Sequence, residues 1–593
     1  MGKNALSHAP TRAAPRTAVG PSGPTPRTLP PHPMPSSHPT TRRQLVVVGG
    51  SLAAGVALTT PAHARLLPRT RGIGRGRFLD GVASGEPGPE AVTFWGRLRT
   101  SRPRSAARLV VAADEGLTRT VATVVVPTSA GVDHTLKARV GGLEPGRRYW
   151  YAWQTVDDVS PVGRTKTAPA ADSRAEVAIG FSSCQSYPHG FYNAHRDAVA
   201  HDELDLYVQL GDYTYEYEWG EYGDLRGGNG VDFASVDLTT YRDKLRLYRA
   251  DPALRELHRL HPVVHTWDDH EVADNYTDGA PSPSALQRNA GYRASFEWLP
   301  RIAFPGDRFR LYRTLRYGAN VELVMLDERQ YRTTGAPGQT ILGRRQMDWF
   351  KRTLSASSAR WKLIGNADLF APLGVNPTGE GLVDPINIDG WGGYPAERAE
   401  VLAHIAGQGI DDVAFLTGDV HMFMANQLVH GGRSVATEYM GGSVTSPALP
   451  DGLGDVAAPL IQAINPHIRF LDPVRHGWAV ARAADGMLRV ELRSNDTLVD
   501  GSPSRTLASF VQHRGQNAID IASGTSSRAR VGDDPALRAA PRGGALDRRR
   551  RRIARVADAD LERRADVAAR RSRSAAARRA LRRDRATRRR TTR

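Results

Sequence analysis

Residues 206–215 read Leu-Tyr-Val-Gln-Leu-Gly-Asp-Tyr-Thr-Tyr, a strand-like run that ends at the carboxylate of Asp212 and, three residues later, the phenol of Tyr215. The same arrangement recurs along the chain, where other apolar runs end in residues that can bind metal ions. These endings are Ser182-Ser-Cys184, Trp267-Asp-Asp269-His270-Glu271, Leu363-Ile-Gly-Asn366 and Thr417-Gly-Asp419-Val-His421. Because ligands of open α/β sheets bind at the loops that follow the strands, the pattern predicts an α/β domain with its polar site at the strand ends.

Apolar strand candidates alternate with helical segments from about residue 174 onward. The strand candidates are residues 177–181, 206–210, 263–267, 321–326, 361–364 and 413–417, and helical candidates cover Leu342–Leu354 and Ala396–Ala406. Buried sheets flanked by helices produce such an alternation. We therefore expect the catalytic domain to span residues 173–513.

A different pattern precedes this domain. Short runs rich in β-branched and aromatic residues occupy positions 91–95, 107–112, 121–126, 134–140 and 149–156, with Gly, Pro and Asp between them. This spacing predicts a β-sandwich over residues 65–172. The turn Gly142-Leu-Glu-Pro-Gly146 before Tyr149-Trp-Tyr151 resembles the entry to a late strand of fibronectin type III and immunoglobulin-like domains. Residues 163–169 are expected to form the linker that leaves the sandwich.

The net charge of +18 is concentrated at the C-terminus, where residues 548–593 contain 20 arginines and five acidic residues, a balance of +15. Since the rest of the chain is nearly neutral, we expect no specific nucleic-acid recognition. The segment 514–593 has too few apolar side chains to bury a core and is predicted to be a disordered tail. It either holds the protein on an anionic cell wall or membrane surface or is a tolerated solvated extension. The lone cysteine, Cys184, excludes an intrachain disulfide.

Residues 1–64 have the features of an export signal. Thr41-Arg-Arg-Gln-Leu45 precedes the apolar, Gly- and Ala-rich run Val46–Thr60, which is followed by the small-residue motif Ala62-His-Ala64. The pattern predicts export by the twin-arginine translocase and a secreted, periplasmic or cell-wall-associated protein. The alternative is a disordered N-terminus that contains a chance pair of arginines.

The strand-end motifs resemble those of the calcineurin-like metallophosphoesterases, and within them the PhoD-like alkaline phosphatases and phosphodiesterases. The matching stretches follow the family order and are Gly81–Pro87, Ser182–Gln185, Gly211–Glu216, Trp267–Glu271, Leu326–Arg332, Tyr394–Arg398 and Thr417–His421. The resemblance implies an N-terminal all-β immunoglobulin/fibronectin-like sandwich and an α/β metallophosphoesterase domain of two packed mixed sheets flanked by helices. It also implies hydrolysis of phosphate esters outside the cytoplasm.

The resemblance further implies two adjacent metal sites that share Asp212. One site would contain Asp212, Cys184, Tyr215 and His421, and anionic sulfur and phenolate ligands favour Fe(III), with Zn as a substitute. The second would contain Asp212, Asp269, Asn366 and Asp419. Because its ligands are all oxygen atoms, it favours Ca²⁺, with Mg²⁺ or Mn²⁺ as substitutes. Asp389 and Asn275 are further candidates for the calcium shell.

Two neighbouring metal ions would activate a hydroxide for in-line attack on phosphorus. His270, next to the metal-ligand candidate Asp269, is expected to donate a hydrogen bond or a proton to the leaving oxygen. Asp268 and Glu271 are expected to orient His270 or to support the metal ligands. Arg329 is a candidate phosphate clamp, and a structural salt bridge is its alternative.

Other interpretations of the same residues remain. A single cysteine is often a small buried apolar residue, and acidic residues before a helix can serve as caps. A phospholipase D-like phosphodiesterase is the nearest alternative enzyme, because monoester and diester preference depends on the shape of the pocket. A protein of another class would be a catalytically inactive cell-surface binding protein.

Overall fold

The computed structural model describes residues 44–48, 56–59, 72–221, 223–226, 233–278, 282–334, 338–374 and 389–524. The twin-arginine pair, the Ala62-His-Ala64 motif and the arginine-rich segment 525–593 lie outside the described residues. Within the described part of the chain, none of the helices combines the length and the hydrophobicity of a membrane span.

The N-terminal region is a sandwich of two antiparallel sheets. Its strands are β1 (Gln44–Val48), β2 (Val56–Thr59), β3 (Val82–Gly85), β4 (Ala91–Arg97), β5 (Arg104–Ala112), β6 (Thr120–Ser129), β7 (Thr135–Gly141), β8 (Arg148–Gln154) and β9 (Gly163–Lys166). The strand orders are β2-β1-β7-β4-β3 and β6-β5-β8-β9. Apolar side chains of both sheets, including Phe94 and Trp153, share one core. The prediction of an all-β sandwich is confirmed.

Burial along these strands follows the pleat. In β6, exposed and buried residues alternate over most of the strand, as expected where one face of a sheet packs on the core. The prediction that residues 163–169 form only a linker is wrong, because β9 pairs with β8 through four residues. The alternating burial of β9 shows that it completes the edge of the four-stranded sheet.

The following region contains fourteen strands among the described residues. They are β10 (Val177–Ser182), β11 (Leu206–Leu210), β12 (Val263–Thr266), β13 (Arg313–Tyr317), β14 (Val321–Met325), β15 (Trp361–Asn366), β16 (Val413–Thr417), β17 (Phe423–His430), β18 (Arg433–Gly441), β19 (Ile468–Asp472), β20 (His476–Ala483), β21 (Met487–Asn495), β22 (Arg505–His513) and β23 (Asp520–Ser523). Strand β23 pairs with β22, so the sheet continues past the predicted boundary at residue 513.

Seven helices flank these strands in the described residues. They are α1 (Asn193–Ala200), α2 (Leu238–Tyr248), α3 (Pro252–Leu260), α4 (Ala285–Trp298), α5 (Gly343–Ala356), α6 (Pro395–Gly407) and α7 (Asp451–Ile464). Three starts follow from side-chain caps, because Asp237, Asp251 and Ser284 each accept a hydrogen bond from a backbone N–H in the first turn of α2, α3 and α4.

The strands form two mixed, seven-stranded sheets, with the orders β12-β11-β10-β20-β21-β22-β23 and β13-β14-β15-β16-β18-β17-β19. Strands β10, β11 and β12 are parallel, as are β14, β15, β16 and β18. Apolar residues from both sheets, such as Val208 and Leu363, pack in a common core. The expected pair of packed mixed sheets flanked by helices is confirmed.

The carboxyl ends of the parallel strands of the two sheets meet at one place. Ser183, just after β10, forms an isolated bridge with Ser443, just after β18. A Cβ atom on Gly418, after β16, would lie 2.6 Å from the carbonyl oxygen of Leu210 at the end of β11. Only glycine permits this approach, and it brings the loop of Asp212 next to the loop of Asp419.

Candidate metal centre

The backbone is left-handed at four of the predicted metal ligands. The φ angles are +56° at Cys184, +54° at Asp212, +71° at Asp419 and +58° at His421. Non-glycine residues adopt this conformation at an energetic cost, and such residues concentrate at functional sites. The turns point these four side chains away from their strands and toward the junction of the two sheets.

The first group of donors comes together as the sequence predicts. One ligand atom each of Cys184, Asp212 and His421 lies within 4.8 Å of the others. The phenol of Tyr215 lies 2.9 Å from Asp212 Oδ2 and 3.5 Å from His421 Nε2. A thiol, a phenol, an imidazole and a carboxyl group, contributed by three separate loops, therefore meet in one place, where His421 alone is partly exposed.

The imidazole of His421 is held in a defined orientation. Its Nδ1 lies 2.8 Å from the carbonyl oxygen of Pro447, which can only accept a hydrogen bond. Nδ1 therefore carries a proton, and in the neutral imidazole the lone pair of Nε2 faces Tyr215. This is the arrangement that metal-binding histidines commonly have.

The predicted oxygen donors are divided between two neighbouring acidic groups. Asp269 lies within 4.8 Å of Asp212 and His270, whereas Asp419 lies within 4.8 Å of Asp268 and Asp368. The backbone N–H of Asn275 donates to Asp269 Oδ2 at 2.6 Å. Asn275, a candidate for the calcium shell, therefore contacts Asp269 through its backbone N–H group.

The side-chain oxygen of Asn366 accepts a hydrogen bond of 3.0 Å from Trp391 Nε1. Its amide nitrogen donates to Thr417 Oγ1 at 3.1 Å and to the carbonyl oxygen of Asp368. Asn366 thus lies at the expected strand end, and its amide group is fixed by neighbours on three elements.

His270 is buried between a carboxylate and an aromatic ring. Its Nδ1 lies 2.9 Å from Glu216 Oε2, and its ring stacks on Tyr215 with a centroid distance of 4.2 Å. Burial would lower the pKa of His270, but the charges of Asp269, Asp212 and Glu216 raise it well above the ordinary value. The ring is therefore oriented with Nε2 toward Asp269, 4.0 Å from Asp269 Oδ1.

Of the two roles expected for Asp268 and Glu271, the contact that orients His270 comes from Glu216 instead, which leaves the support of the ligand loops. Glu271 instead accepts hydrogen bonds from the backbone N–H groups of Tyr213 at 2.7 Å and Asp268 at 2.9 Å. It therefore ties the loop after β11 to the loop after β12. Asp268 pairs with Arg329 at 2.5 Å.

Arg329 is only 1% exposed and is surrounded by carboxylates. Its nitrogen atoms lie 2.5 Å from Asp268, 3.1 Å from Asp368 and 2.6 Å from Asp389. Each donor edge of the guanidinium thus faces an acidic side chain of the protein. This arrangement matches the structural salt-bridge alternative for Arg329 rather than the phosphate clamp, and it engages Asp389 as an ion-pair partner.

The first donor group fits a bound cation. Burial raises the pKa of the Cys184 thiol and of the Asp212 and Asp419 carboxyl groups well above their ordinary values, because it disfavours their anionic forms. Asp212 Oδ1 is buried without a hydrogen-bond partner. A metal ion supplies the positive charge that such ligands need and deprotonates a coordinated thiol. The mixed donor set suits a transition metal, as expected from the sequence.

Sequence reasoning missed three residues that support the site. Asp368, two positions after Asn366, is buried between Arg329 and Arg332. Glu216 holds His270, and Ser446 lies 2.6 Å from the phenol oxygen of Tyr215. The position of Asp368 just after a strand was a usable signal. Neither the Glu216–His270 contact nor the Ser446–Tyr215 contact could be inferred from spacing, since each joins distant segments.

Two protein-family models match the chain. The model described as PhoD-like phosphatase covers residues 179–492, and the model described as PhoD-like phosphatase, N-terminal domain, covers residues 63–169. Alkaline phosphatase D of Bacillus subtilis is 33% identical over 500 residues, which are 77% of this chain and 84% of that protein.

Two solved structures are similar to this chain. The chain is similar to a structure described as that of PhoD, with a TM-score of 0.70 and 30% identity, covering 78% of this chain and 94% of the other. It also resembles a purple acid phosphatase from yellow lupin seeds, with a TM-score of 0.50 and 12% identity over 74% of each chain. At that level of identity, the second similarity shows the fold alone.

Proposed function

Because this chain belongs to the PhoD-like phosphatase family and is a phosphoric ester hydrolase, we propose that it hydrolyses phosphate esters outside the cytoplasm at the strand-end site. The observation that carries the proposal is the convergence of Cys184, Asp212, Tyr215 and His421 at one place. Such a set of sulfur, phenol, imidazole and carboxylate donors has its simplest use in holding a metal ion.

In this proposal Cys184, Tyr215 and His421 hold Fe(III) together with Asp212, and Asp212, Asp269, Asn366 and Asp419 hold Ca²⁺. Zn, Mn or Mg are substitutes of similar chemistry. When bound, the two ions polarise a phosphoryl oxygen and make the attacking nucleophile available at neutral pH. The pairing of Nδ1 of His421 with Pro447 supports its assignment, because in the neutral imidazole it leaves the lone pair on Nε2.

The protein's own residues would handle the leaving group. Glu216 accepts a hydrogen bond from Nδ1–H of His270, and the ring of Tyr215 limits rotation of the imidazole. The Nε2 proton of His270 is then available for the leaving oxygen as the P–O bond breaks. We do not retain Arg329 as the phosphate clamp, since its guanidinium is already paired with three carboxylates.

Hydrolysis of nitrophenyl phosphate and bis-nitrophenyl phosphate by the purified protein, with and without a chelator, tests this function. We expect turnover that a chelator abolishes and that iron together with calcium restores. The ratio of the two rates separates a phosphomonoesterase from a phosphodiesterase, including the phospholipase D-like alternative. Absence of chelator-sensitive turnover of both substrates would contradict the proposal and favour the binding protein.

We further propose that the chain is exported by the twin-arginine translocase. The support is the sequence Thr41-Arg-Arg-Gln-Leu45 followed by an apolar run and Ala62-His-Ala64. Replacing Arg42 and Arg43 with lysine should leave the precursor in the cytoplasm. Equal export of the variant and the natural sequence would contradict this route. Deletion of residues 525–593 tests attachment to anionic surfaces, because a tether would be lost on deletion and weakened by salt.

A further inference from the structure

The loop after β18, residues 442–447, contacts three of the four donors of the first group. The backbone N–H groups of Thr445 and Ser446 both donate to the carbonyl oxygen of Cys184, at 3.3 and 3.2 Å. The carbonyl oxygen of Pro447 accepts from Nδ1 of His421. Ser446 also brings its hydroxyl oxygen to 2.6 Å from the phenol oxygen of Tyr215. The loop therefore fixes donors that come from different strands.

The hydroxyl of Ser446 has one proton and two acceptors within reach. These are the carbonyl oxygen of Cys184 at 2.8 Å and the phenol oxygen of Tyr215 at 2.6 Å. The carbonyl already accepts two backbone hydrogen bonds, which use both of its lone pairs. The proton of Ser446 is therefore directed to Tyr215.

Two further contacts set the direction of this hydrogen bond. The backbone N–H of Ser186 donates to Ser446 Oγ at 3.3 Å, so the oxygen acts as an acceptor on that side. The hydroxyl of Tyr215 donates to Asp212 Oδ2 at 2.9 Å. The result is a buried chain that runs from Ser446 through Tyr215 to Asp212, and hydrogen bonds in such chains strengthen one another.

We propose that Ser446 is a positioning residue that donates its hydroxyl hydrogen bond to the Tyr215 oxygen and thereby sets how strongly Tyr215 donates electrons to a bound metal ion. The inference rests on the proposed metal-ligand role of Tyr215. A hydrogen bond to an anionic oxygen is stronger than one to a neutral oxygen. Ser446 would thus withdraw electron density from the phenolate and fix the plane of its ring, as partners of metal ligands generally do.

Loading the protein with Fe(III) makes this hydrogen bond observable. Tyrosinate bound to Fe(III) absorbs visible light by charge transfer, and resonance Raman excitation in that band reveals the ring and C–O modes. The Ser446→Ala variant should show the band at longer wavelength and a shifted C–O mode, because the phenolate loses its stabilising donor. Tyr215→Phe should lose the tyrosinate modes.

Thr445→Val is the matched control. Thr445 lies in the same loop, is buried, and donates its hydroxyl to the carbonyl oxygen of Ser186 at 2.7 Å rather than to Tyr215. Its band should equal that of the natural protein. An unchanged band in Ser446→Ala, or an equal shift in Thr445→Val, would overturn the inference.

The role of Ser446 and the proposed function of the protein can be refuted separately. If the natural protein binds iron with tyrosinate modes and hydrolyses phosphate esters but Ser446→Ala leaves the spectrum unchanged, only the role of Ser446 is refuted. If the natural protein neither binds metal nor hydrolyses the esters, the proposed function is refuted, and the inference with it. Iron binding without tyrosinate modes would refute Tyr215 as a ligand and thus the inference as well.

Discussion

The imidazole ring of His270 is stacked on the phenol ring of Tyr215, with centroids 4.2 Å apart and planes inclined by 28°. One residue is a candidate proton donor and the other a candidate metal ligand, so this contact couples the two parts of the site. Glu216 contacts Nδ1 at the edge of the imidazole ring. The leaving group and the metal ligands are therefore positioned by one packed unit.

Replacing His270 with glutamine should reduce kcat for an alkyl phosphate by about 10²- to 10⁴-fold, the usual contribution of a general acid. The loss should be smaller for nitrophenyl phosphate, because nitrophenolate departs without being protonated. Steady-state kinetics with both substrates and metal analysis of the variant provide the measurement. His201→Gln, which changes a half-buried histidine paired with Glu203, is the control. Equal losses for the two substrates would argue against proton donation.

The variants Cys184→Ala and Tyr215→Phe should each lose the transition metal and keep calcium. Both side chains belong to the group with His421, whereas the oxygen donors Asp269 and Asp419 are left intact. Metal analysis of the purified variants is the measurement. Iron content equal to that of the natural protein in both variants would refute the division of the ligands into two sites.

Arg329→Met should destabilise the protein by about 3–5 kcal/mol, because it leaves buried carboxylates without their cation. Arg344 also pairs with two carboxylates, Asp348 and Glu400, but its side chain is 69% exposed. Arg344→Met should therefore leave stability almost unchanged. Chemical denaturation of both variants tests the contrast. An Arg329→Met protein of natural stability with a raised KM would restore the phosphate-clamp interpretation.

The buried Lys137, at the contact between the sandwich and α4, should make the stability of the protein depend on pH. Its ammonium group donates to the carbonyl oxygens of Phe296 and Arg301, and burial lowers its pKa to about 7. Between pH 7 and the ordinary pKa of lysine, the unfolded chain binds the extra proton and the folded chain does not, so stability rises with pH.

The slope from this one group is at most about 1.4 kcal/mol per pH unit, and it vanishes below pH 7, where both states are protonated. Lys137→Met removes the titration. The stability of the natural protein, measured relative to this variant, should therefore rise as the pH increases from 7 to 9. Melting temperatures of the two proteins across this range provide the test. A difference that is independent of pH would contradict the buried, depressed lysine.

The local signals of the sequence predicted much of the fold. All six strand candidates of the catalytic region correspond to strands, from Val177–Ser182 to Val413–Thr417. Their mostly apolar composition reflects burial on both faces of a sheet. The helix α5 (Gly343–Ala356) agrees with the predicted Leu342–Leu354 within two residues at its ends.

What the sequence did not predict depends on distant contacts. Strand β10 pairs with β20, and no local pattern specifies a partner so far along the chain. The same applies to the contacts of Glu216 with His270 and of Ser446 with Tyr215. Arg329 illustrates a different limit, because an arginine after a strand has the same local sequence whether it meets phosphate or three carboxylates of the protein.

The pairing of β10 with β20 also constrains the order of biosynthesis. Strand β10, which leads to Cys184, is held on one edge by β11, but its other edge is completed only by residues 479–483 of β20, near the end of the catalytic region. A nascent chain that does not yet contain this segment can fold its sandwich while one edge of β10 remains unpaired. If the chain binds iron and is exported in the folded state, as proposed, ribosome-bound intermediates should be unable to retain iron, and metal insertion would follow completion of the catalytic region and precede export.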